Sequence, residues 1–304
     1  MSPRRYAVLD VFTDTALAGN PLAVVLDGEG LDDDRMQAIA GEFNLSETVF
    51  VQGPDNPAHS AKVRIFTPAR ELPFAGHPTV GTAILLAHER FGAVETEQDA
   101  MIVLEEAIGD VRCGVRLMPD EASFAEFDVP QQAQMVAEAH RKDQIAAALS
   151  LAPTEVGFEN HVPSVYSAGV PFTFVPVHDL DAIARAQSNP EMWAQGFGDT
   201  DHNAAFIYCR QTIHTDSAFH ARMFAPKMGI REDPATGGAV AAFAGVVHQF
   251  DQPPSGMHRY RIEQGYEMGR PSHIGLEIEC AEGGLKATRI SGQAVIVAQG
   301  VLSI

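Results

Sequence analysis

The chain has 304 residues, 45% hydrophobic and 20% charged, a composition typical of a folded protein with two domains or one large barrel. Its 40 acidic residues outweigh 21 Lys and Arg, giving a formal net charge of -19 that repels phosphate backbones and anionic lipids. No apolar run approaches the roughly 20 residues of a membrane helix, and acidic residues interrupt the N-terminal segment where a signal peptide would have its apolar core. We therefore expect a cytoplasmic protein that binds neither nucleic acid nor membranes.

The first part of the chain predicts a mixture of strands and helices. Apolar, β-branched runs bounded by turn residues indicate strands at residues 6–11, 22–26, 48–52 and 61–66. A helix is expected over residues 33–43, because an Asp cluster can cap its start and its apolar residues recur with helical spacing. The helix that follows Gly76 is apolar on nearly every side, which predicts burial all round. A polar, helix-prone stretch at residues 131–151 is expected to contain a domain junction.

Three motifs occur twice in the same order, which predicts an internal duplication. An Ala-Gly-x-Pro turn before an apolar run stands at residues 18–21 and again at 168–171. An Arg-x-Phe-x-Pro motif stands at residues 64–68 and again at 222–226, and each copy is followed by a Gly-rich turn and an apolar helix of small residues. We expect an α/β fold of two pseudo-symmetric halves, each wrapping a sheet or barrel around a central helix. The predicted boundaries are residues 1–120 plus 296–304 for one half and 121–295 for the other.

The two Gly-rich turns are candidate anion sites. Gly76 precedes one central helix, and Gly237 and Gly238 precede the other. Free amides in the first turn of a helix, reinforced by the helix dipole, favour a negatively charged ligand. If the halves face each other, a small carboxylate or enolate would fit between the two helix starts. The alternative is that these glycines only permit tight turns.

Three titratable residues accompany these turns. His77 lies at the start of the first central helix, Asp233 occupies the corresponding loop of the second half, and Glu47 begins an apolar strand. Singly, the histidine and the aspartate are ordinary structural or capping residues, and Glu47 could be an exposed strand end. A buried Glu47, however, would favour its protonated form and suit a group that takes and returns a proton near neutral pH.

Several common chemistries have no motif in this chain. The sequence lacks the glycine-rich nucleotide-binding motifs, a Gly-x-Ser-x-Gly nucleophile and a His-Glu-x-x-His zinc motif. His202, His214 and His220 do not have metal-site spacing, and three cysteines without a Cys-x-x-Cys pair form no zinc ribbon or disulfide framework. We therefore predict no metal and no organic cofactor, which leaves acid–base catalysis by side chains.

Segments in order along nearly the whole chain resemble the phenazine-biosynthesis PhzF-like family, which is related to diaminopimelate epimerase. They lie at residues 10–13, 19–25, 44–50, 66–68, 71–79, 233–237 and 292–295. The resemblance implies the diaminopimelate epimerase-like fold, an active site in the cleft between the halves, a homodimer, and neither metal nor cofactor. It also implies that Glu47 is the general base and acid, while His77 and Asp233 hold and polarise the substrate.

The same resemblance assigns the binding residues. Asn20 lies in the family's Gly-Asn-Pro turn beside the cleft, and the Gly76 amide with the loop of Gly237 and Gly238 matches the wall that binds a carbonyl or carboxylate. Many members carry Ser where this chain has Gly238, so its substrate is expected to differ from the dihydro-hydroxyanthranilate of phenazine synthesis.

The epimerase relatives place a cysteine before each Gly-rich helix, and the corresponding residues here are Ala75 and Thr236. Neither can shuttle a proton, which disfavours two-thiol epimerisation. We therefore expect an isomerase that shifts a proton within a small anionic metabolite, possibly cyclic. The alternatives are a non-catalytic small-molecule-binding protein on the same fold and an amino- or hydroxy-acid racemase. The pocket walls are expected from residues 118–127 and 252–260.

Overall fold

The computed structural model describes residues 3–199 and 203–304, so that His202 lies outside the described part of the chain. The α-helices are α1 Asp33–Phe43, α2 Gly76–Phe91, α3 Lys142–Ala148, α4 Leu180–Arg185, α5 Trp193–Phe197 and α6 Gly237–Asp251. The strands are β1 Pro3–Val11, β2 Asn20–Val25, β3 Glu47–Gln52, β4 Ala61–Phe66, β5 Glu71–Leu72, β6 Gln98–Glu106, β7 Gly109–Leu117, β8 Ser123–Asp128, β9 Gln134–Ala137, β10 Ser164–Ser167, β11 Pro171–Pro176, β12 Ala205–Cys209, β13 Phe219–Ala225, β14 Ile230–Asp233, β15 Gly256–Gln264, β16 Ser272–Ala281 and β17 Gly284–Ser303.

The strand order repeats, as the paired motifs predict. In the first set, β1 and β2 are antiparallel, β2 and β3 parallel, β3 and β4 antiparallel, β4 and β6 parallel, and β6 to β8 antiparallel. The same sequence of pairings runs through β10 to β17, with β11 and β12 parallel and β13 and β15 parallel. One chain topology has therefore been used twice.

The two sets of strands are joined by β17. Its early residues pair with β16, its middle residues with β8 and its last residues with β1, so this one strand borders both sets. The segment expected to hold the domain junction forms β9 and α3. The predicted domain boundaries stay a prediction.

Helices α2 and α6 occupy the interior of the two sets of strands. Nearly all residues of α2 up to Ala87 are buried, and in α6 burial extends to Val247. Both helices belong to the main hydrophobic core, together with residues from the surrounding strands. Small side chains such as Ala and Gly allow the strands to approach these helices closely on all sides. The α/β architecture with two central helices confirms the fold expected from the sequence.

Helix α1 forms over the predicted residues. The Asp32 side chain accepts a hydrogen bond of 2.8 Å from the Arg35 amide at the helix start, and Asn44 ends the helix in the left-handed conformation with φ 51°. The turn after Asn44 leads directly into β3, which brings Glu47 to the first position of that strand. In the described ranges, no helix has the length and apolar character needed to cross a membrane.

Candidate active site

The predicted site residues converge from distant parts of the chain. Asn20 and Glu47 are the first residues of the neighbouring parallel strands β2 and β3, so both lie at the same end of these strands. His77 is the second residue of α2, and Asp233 ends β14 just before α6. The structure thereby brings all of the predicted catalytic residues to one buried region.

The starts of α2 and α6 meet head to head. A Cβ atom placed on Gly76 would lie 2.6 Å from the carbonyl carbon of Gly237 and 2.8 Å from the Gly238 nitrogen, so only glycine permits this approach. Neither of the preceding residues, Ala75 and Thr236, caps its helix through its side chain. Two uncapped positive helix ends in contact create an electrostatic environment that favours an anion beside them.

Glu47 has the features of a buried proton carrier. The residue is 8% exposed, and its Oε2 atom makes no hydrogen bond. That atom lies 3.4 Å from Nε2 of His77, which is also buried without a hydrogen-bond partner, because the two groups are not aligned for a hydrogen bond. Burial, and secondly the charge of Asp233, raise the pKa of Glu47 well above its usual value.

Asp233 is held in a different environment. Its Oδ1 accepts hydrogen bonds from the Ser46 hydroxyl at 2.7 Å and the Asn20 amide at 2.9 Å, and its Oδ2 accepts one from Thr236 at 2.6 Å. Burial raises the pKa of Asp233, and these three donors oppose that effect. When the two buried carboxyls share one proton, it therefore resides on Glu47, which accepts no comparable hydrogen bonds.

The ring of His77 is neutral and oriented. Its Nδ1 lies 3.3 Å from the Asn20 amide nitrogen, which also donates to Asp233 and to the carbonyl of Ala235, groups that can only accept. The two hydrogens of this NH₂ group go to Asp233 and Ala235, and an amide nitrogen cannot accept one, so Nδ1 of His77 is unprotonated and Nε2 carries the ring hydrogen. Burial lowers the pKa of His77 to about 3, which keeps the ring uncharged at neutral pH.

The pocket walls differ from the sequence-based expectation. The cavity beside Glu47 and His77 is lined by apolar side chains from β5, the loop before α2, the β10–β11 turn, β11, β13, the segment after β13, and β14: Leu72, Phe74, Val170, Phe172, Met223, Met228 and Ile230. The prediction that residues 118–127 and 252–260 form these walls is wrong for this cavity, because none of them is among its lining residues; they form β8, β15 and the segments before these strands. The repeated Ala-Gly-x-Pro turn, which includes Val170, was the available signal.

Supporting polar residues were also missed. Ser46 and Thr236 donate to Asp233, and the Gln264 side chain donates to the Asp233 carbonyl at 2.7 Å while accepting from the Thr236 amide at 3.1 Å. Ser46 and Thr236 adjoin predicted site residues in the sequence, whereas Gln264 comes from β15 and has no local signal.

The cavity at this site is small, about 40 Å³, so a ligand must displace part of its walls to enter. A larger, open cavity of about 650 Å³ lies between β4 and β6 and contains none of the predicted site residues. Its polar side chains are largely paired with one another, as in Lys62 with Asp55 and Arg64 with Glu71. We place the candidate active site in the smaller cavity, because its lining residues Glu47 and His77 both have a buried polar atom without a hydrogen-bond partner.

Comparison with known proteins gives a consistent result. A family model described as phenazine biosynthesis-like protein, PhzC-PhzF, matches residues 9–300. An uncharacterized isomerase of Mesorhizobium japonicum is 51% identical over 100% of both chains. The trans-2,3-dihydro-3-hydroxyanthranilate isomerase of Pseudomonas aeruginosa is 33% identical over 97% of this chain and 98% of its own. A PhzF-family phenazine biosynthesis protein of Bacillus anthracis superposes with a TM-score of 0.87 at 25% identity, covering 100% of both chains.

Proposed function

Since the chain belongs to the phenazine biosynthesis-like family PhzC-PhzF and is an isomerase like its relatives, we propose that it moves a proton within a small carboxylate-bearing metabolite, possibly cyclic, without a cofactor. Glu47 is the proposed base and acid. The observation that carries this proposal is the buried, unpartnered Glu47 oxygen beside the two uncapped helix starts. The homodimer implied by the family resemblance is part of the proposal and is testable by sedimentation.

In the proposed reaction, the substrate carboxylate lies beside the two helix starts and accepts hydrogen bonds from the free amides of Gly76, Gly237 and Gly238. Ionised Glu47 removes a proton from a substrate carbon, the electrons of that C–H bond shift into the conjugated system, and the double bond moves. The amides and the Nε2–H of neutral His77 stabilise the negative charge that develops on oxygen. Glu47 then returns the proton to a different carbon, so the substrate and the product have the same atoms.

Asp233 acts in this scheme by orientation. It receives the hydrogen bond of the Asn20 amide, and Asn20 in turn faces Nδ1 of His77. Its negative charge also raises the pKa of Glu47, which strengthens Glu47 as a base once it is ionised.

A solvent-deuterium experiment tests the reaction type. The relative's substrate, trans-2,3-dihydro-3-hydroxyanthranilate, is the first probe, and related small carboxylates follow. Incubation in D₂O is expected to place deuterium at one carbon of the product, because Glu47 exchanges its proton with solvent between turnovers. Product formed without deuterium would argue against the proton shift, unless the proton is passed on faster than it exchanges. Complete retention of a substrate-borne deuterium in the product identifies that case.

Two other functions remain alternatives. If the protein binds a small molecule without converting it, a stabilising ligand should be recovered unchanged after long incubation. The only feature of the sequence that favours this alternative is the Gly at position 238. A racemase predicts loss of optical rotation of an amino or hydroxy acid, but no cysteine is among the described lining residues of the cavity. The similarity to a hydroxyproline epimerase of Agrobacterium vitis, 11% identical with a TM-score of 0.66 over 99% of this chain and 92% of the epimerase, concerns the fold alone.

The burial of Glu47 also predicts a pH-dependent stability. Because the pKa of Glu47 is higher in the folded than in the unfolded protein, its contribution to stability is complete below the unfolded value and is lost as the pH rises through the folded value. The Gln side chain of Glu47→Gln does not titrate, so the melting temperature of the variant should rise relative to that of the wild type as the pH increases. The difference in free energy of unfolding between the two proteins should change by at most about 1.4 kcal/mol for each pH unit. Thermal unfolding of both proteins between pH 5 and pH 8 checks this, and a constant difference would contradict the raised pKa.

A further inference from the structure

Besides Glu47 and Asp233, a further buried carboxyl contacts the helix of the active site and has no role in the proposed reaction. Glu106 ends β6 and is only 7% exposed. Its Oε1 lies 2.7 Å from the Thr79 hydroxyl in the first turns of α2, and its Oε2 is buried without a partner. The carboxyl thus contacts the helix that presents Gly76 and His77.

The geometry around Thr79 indicates which group holds the proton. The Thr79 hydroxyl lies 2.8 Å from the carbonyl oxygen of Ala75, which can only accept a hydrogen bond. A hydroxyl has a single hydrogen, and one hydrogen shared between two acceptors gives longer contacts than the two short ones observed. The Thr79 hydrogen therefore goes to Ala75, and Glu106 supplies the other hydrogen, which requires the neutral carboxylic acid.

We propose that protonated Glu106 is a positioning residue for the active site, acting through Thr79 on the turn that carries Gly76 and His77. Ala75 is the residue before α2, and its carbonyl also accepts the Thr79 backbone amide at 3.2 Å, so the chain Glu106–Thr79–Ala75 ties β6 to the turn before the helix and leaves the first-turn amides free. The turn after β6 makes a second connection to the segment before α2, because the Ile108 amide donates a hydrogen bond of 3.0 Å to the Pro73 carbonyl. This inference rests on the proposed function only for its effect on turnover.

The surroundings of Glu106 favour the neutral acid. Burial raises its pKa to about 8. From β7, the buried thiol of Cys113 faces it, and the pKa of that thiol is itself raised by burial and secondly by the charge of Glu106. Glu106 also borders the 650 Å³ cavity, whose titratable side chains are Asp55, His59, Lys62, Arg64, Glu71, Glu105 and Asp110.

Deprotonation of Glu106 would undo this arrangement. The carboxylate could only accept, so the Thr79 hydrogen would turn towards it and the contact with the Ala75 carbonyl would be lost. The turn before Gly76 would then be held less firmly above about pH 8, the pKa of Glu106.

The protonation state is tested by infrared difference spectroscopy. The spectrum of the wild type minus Glu106→Gln at pH 7 should contain the carbonyl band of a protonated carboxylic acid, and this band should disappear as the pH rises through about 8. Gln has nearly the same size and keeps a donor for Thr79, so the variant is expected to fold. A difference spectrum at pH 7 that contains only a carboxylate would overturn the proposal.

Positioning is tested by amide hydrogen exchange, measured by NMR as protection factors. Thr79→Val removes the hydroxyl and keeps the shape, and it should lower protection of the amide at position 79, which donates to the Ala75 carbonyl, by about tenfold, as a local opening would. Thr82→Val is the matched control, because the Thr82 hydroxyl lies one turn further along α2, buried and without a partner. Equal protection in Thr79→Val and Thr82→Val would refute the positioning role, and the spectroscopic test stands if either fails to fold.

Turnover provides the third measurement. With trans-2,3-dihydro-3-hydroxyanthranilate as the probe, the rate of the wild type should fall above about pH 8, and Glu106→Gln should not show this fall. A fall of the same size in both proteins would contradict the proposal. The spectroscopic and exchange measurements need no turnover, so they still decide the role of Glu106 if the probe is not converted and the proposed function fails.

Discussion

Replacing Glu47 by Gln is expected to lower turnover by about 10²–10⁴-fold, because Gln retains the size of the side chain but cannot accept a proton from carbon. The cavity should keep its form, since Oε2 of Glu47 has no hydrogen bond that the substitution would break. Steady-state isomerisation, with binding measured separately by a thermal shift, distinguishes a lost base from lost binding.

The pH profile sharpens this test. As a base, Glu47 must be ionised, so kcat/KM of the wild type should rise as the pH climbs through the raised pKa of Glu47. Glu42→Gln is the matched control, because Glu42 is exposed in the preceding helix and the substitution makes the same change of charge. Near-normal turnover in Glu47→Gln, or the same loss in Glu42→Gln, would exclude Glu47 as the base.

Gly76→Ala is expected to disrupt the protein most strongly among single-methyl changes at the site. The new Cβ would lie 2.6–2.8 Å from backbone atoms of Gly237 and Gly238, so one helix start must move away from the other. Overpacking of this kind costs about 1–3 kcal/mol or more. A displacement of about 1 Å at a reacting centre can lower the rate by about 10²-fold. Chemical denaturation and turnover measure the two effects.

Gly238→Ala is the matched control for this prediction. Its Cβ would meet the Gly76 nitrogen at 4.0 Å and no nearer atom, which is ordinary contact distance. We expect its free energy of unfolding to lie within about 1 kcal/mol of the wild type, since Gly and Ala differ by about that much in a helix. Equal destabilisation by the two substitutions would show that the helix starts are not in the close contact described.

Much of this protein could be predicted from short stretches of sequence. Short sequence motifs indicate the fold family, the duplicated strand order and the two glycine-rich helix starts, because turns, strands and helix starts depend on neighbouring residues. Glu47 and His77 could be singled out for the same reason, as each adjoins a recognisable turn or strand start.

The properties that give these residues their chemistry were decided by tertiary packing. Asn20 and Asp233 are 213 residues apart in the chain, and only the folded protein places the Asn20 amide between Asp233 and His77. Protonation depends on burial and on the hydrogen bonds a carboxyl receives, so a sequence cannot say that the shared proton resides on Glu47. The proposed role of Glu106 and the apolar walls of the cavity could not be predicted from the sequence for the same reason. The sequence determines which residues occur in each turn, and the packing of distant segments determines their environment and thereby their reactivity.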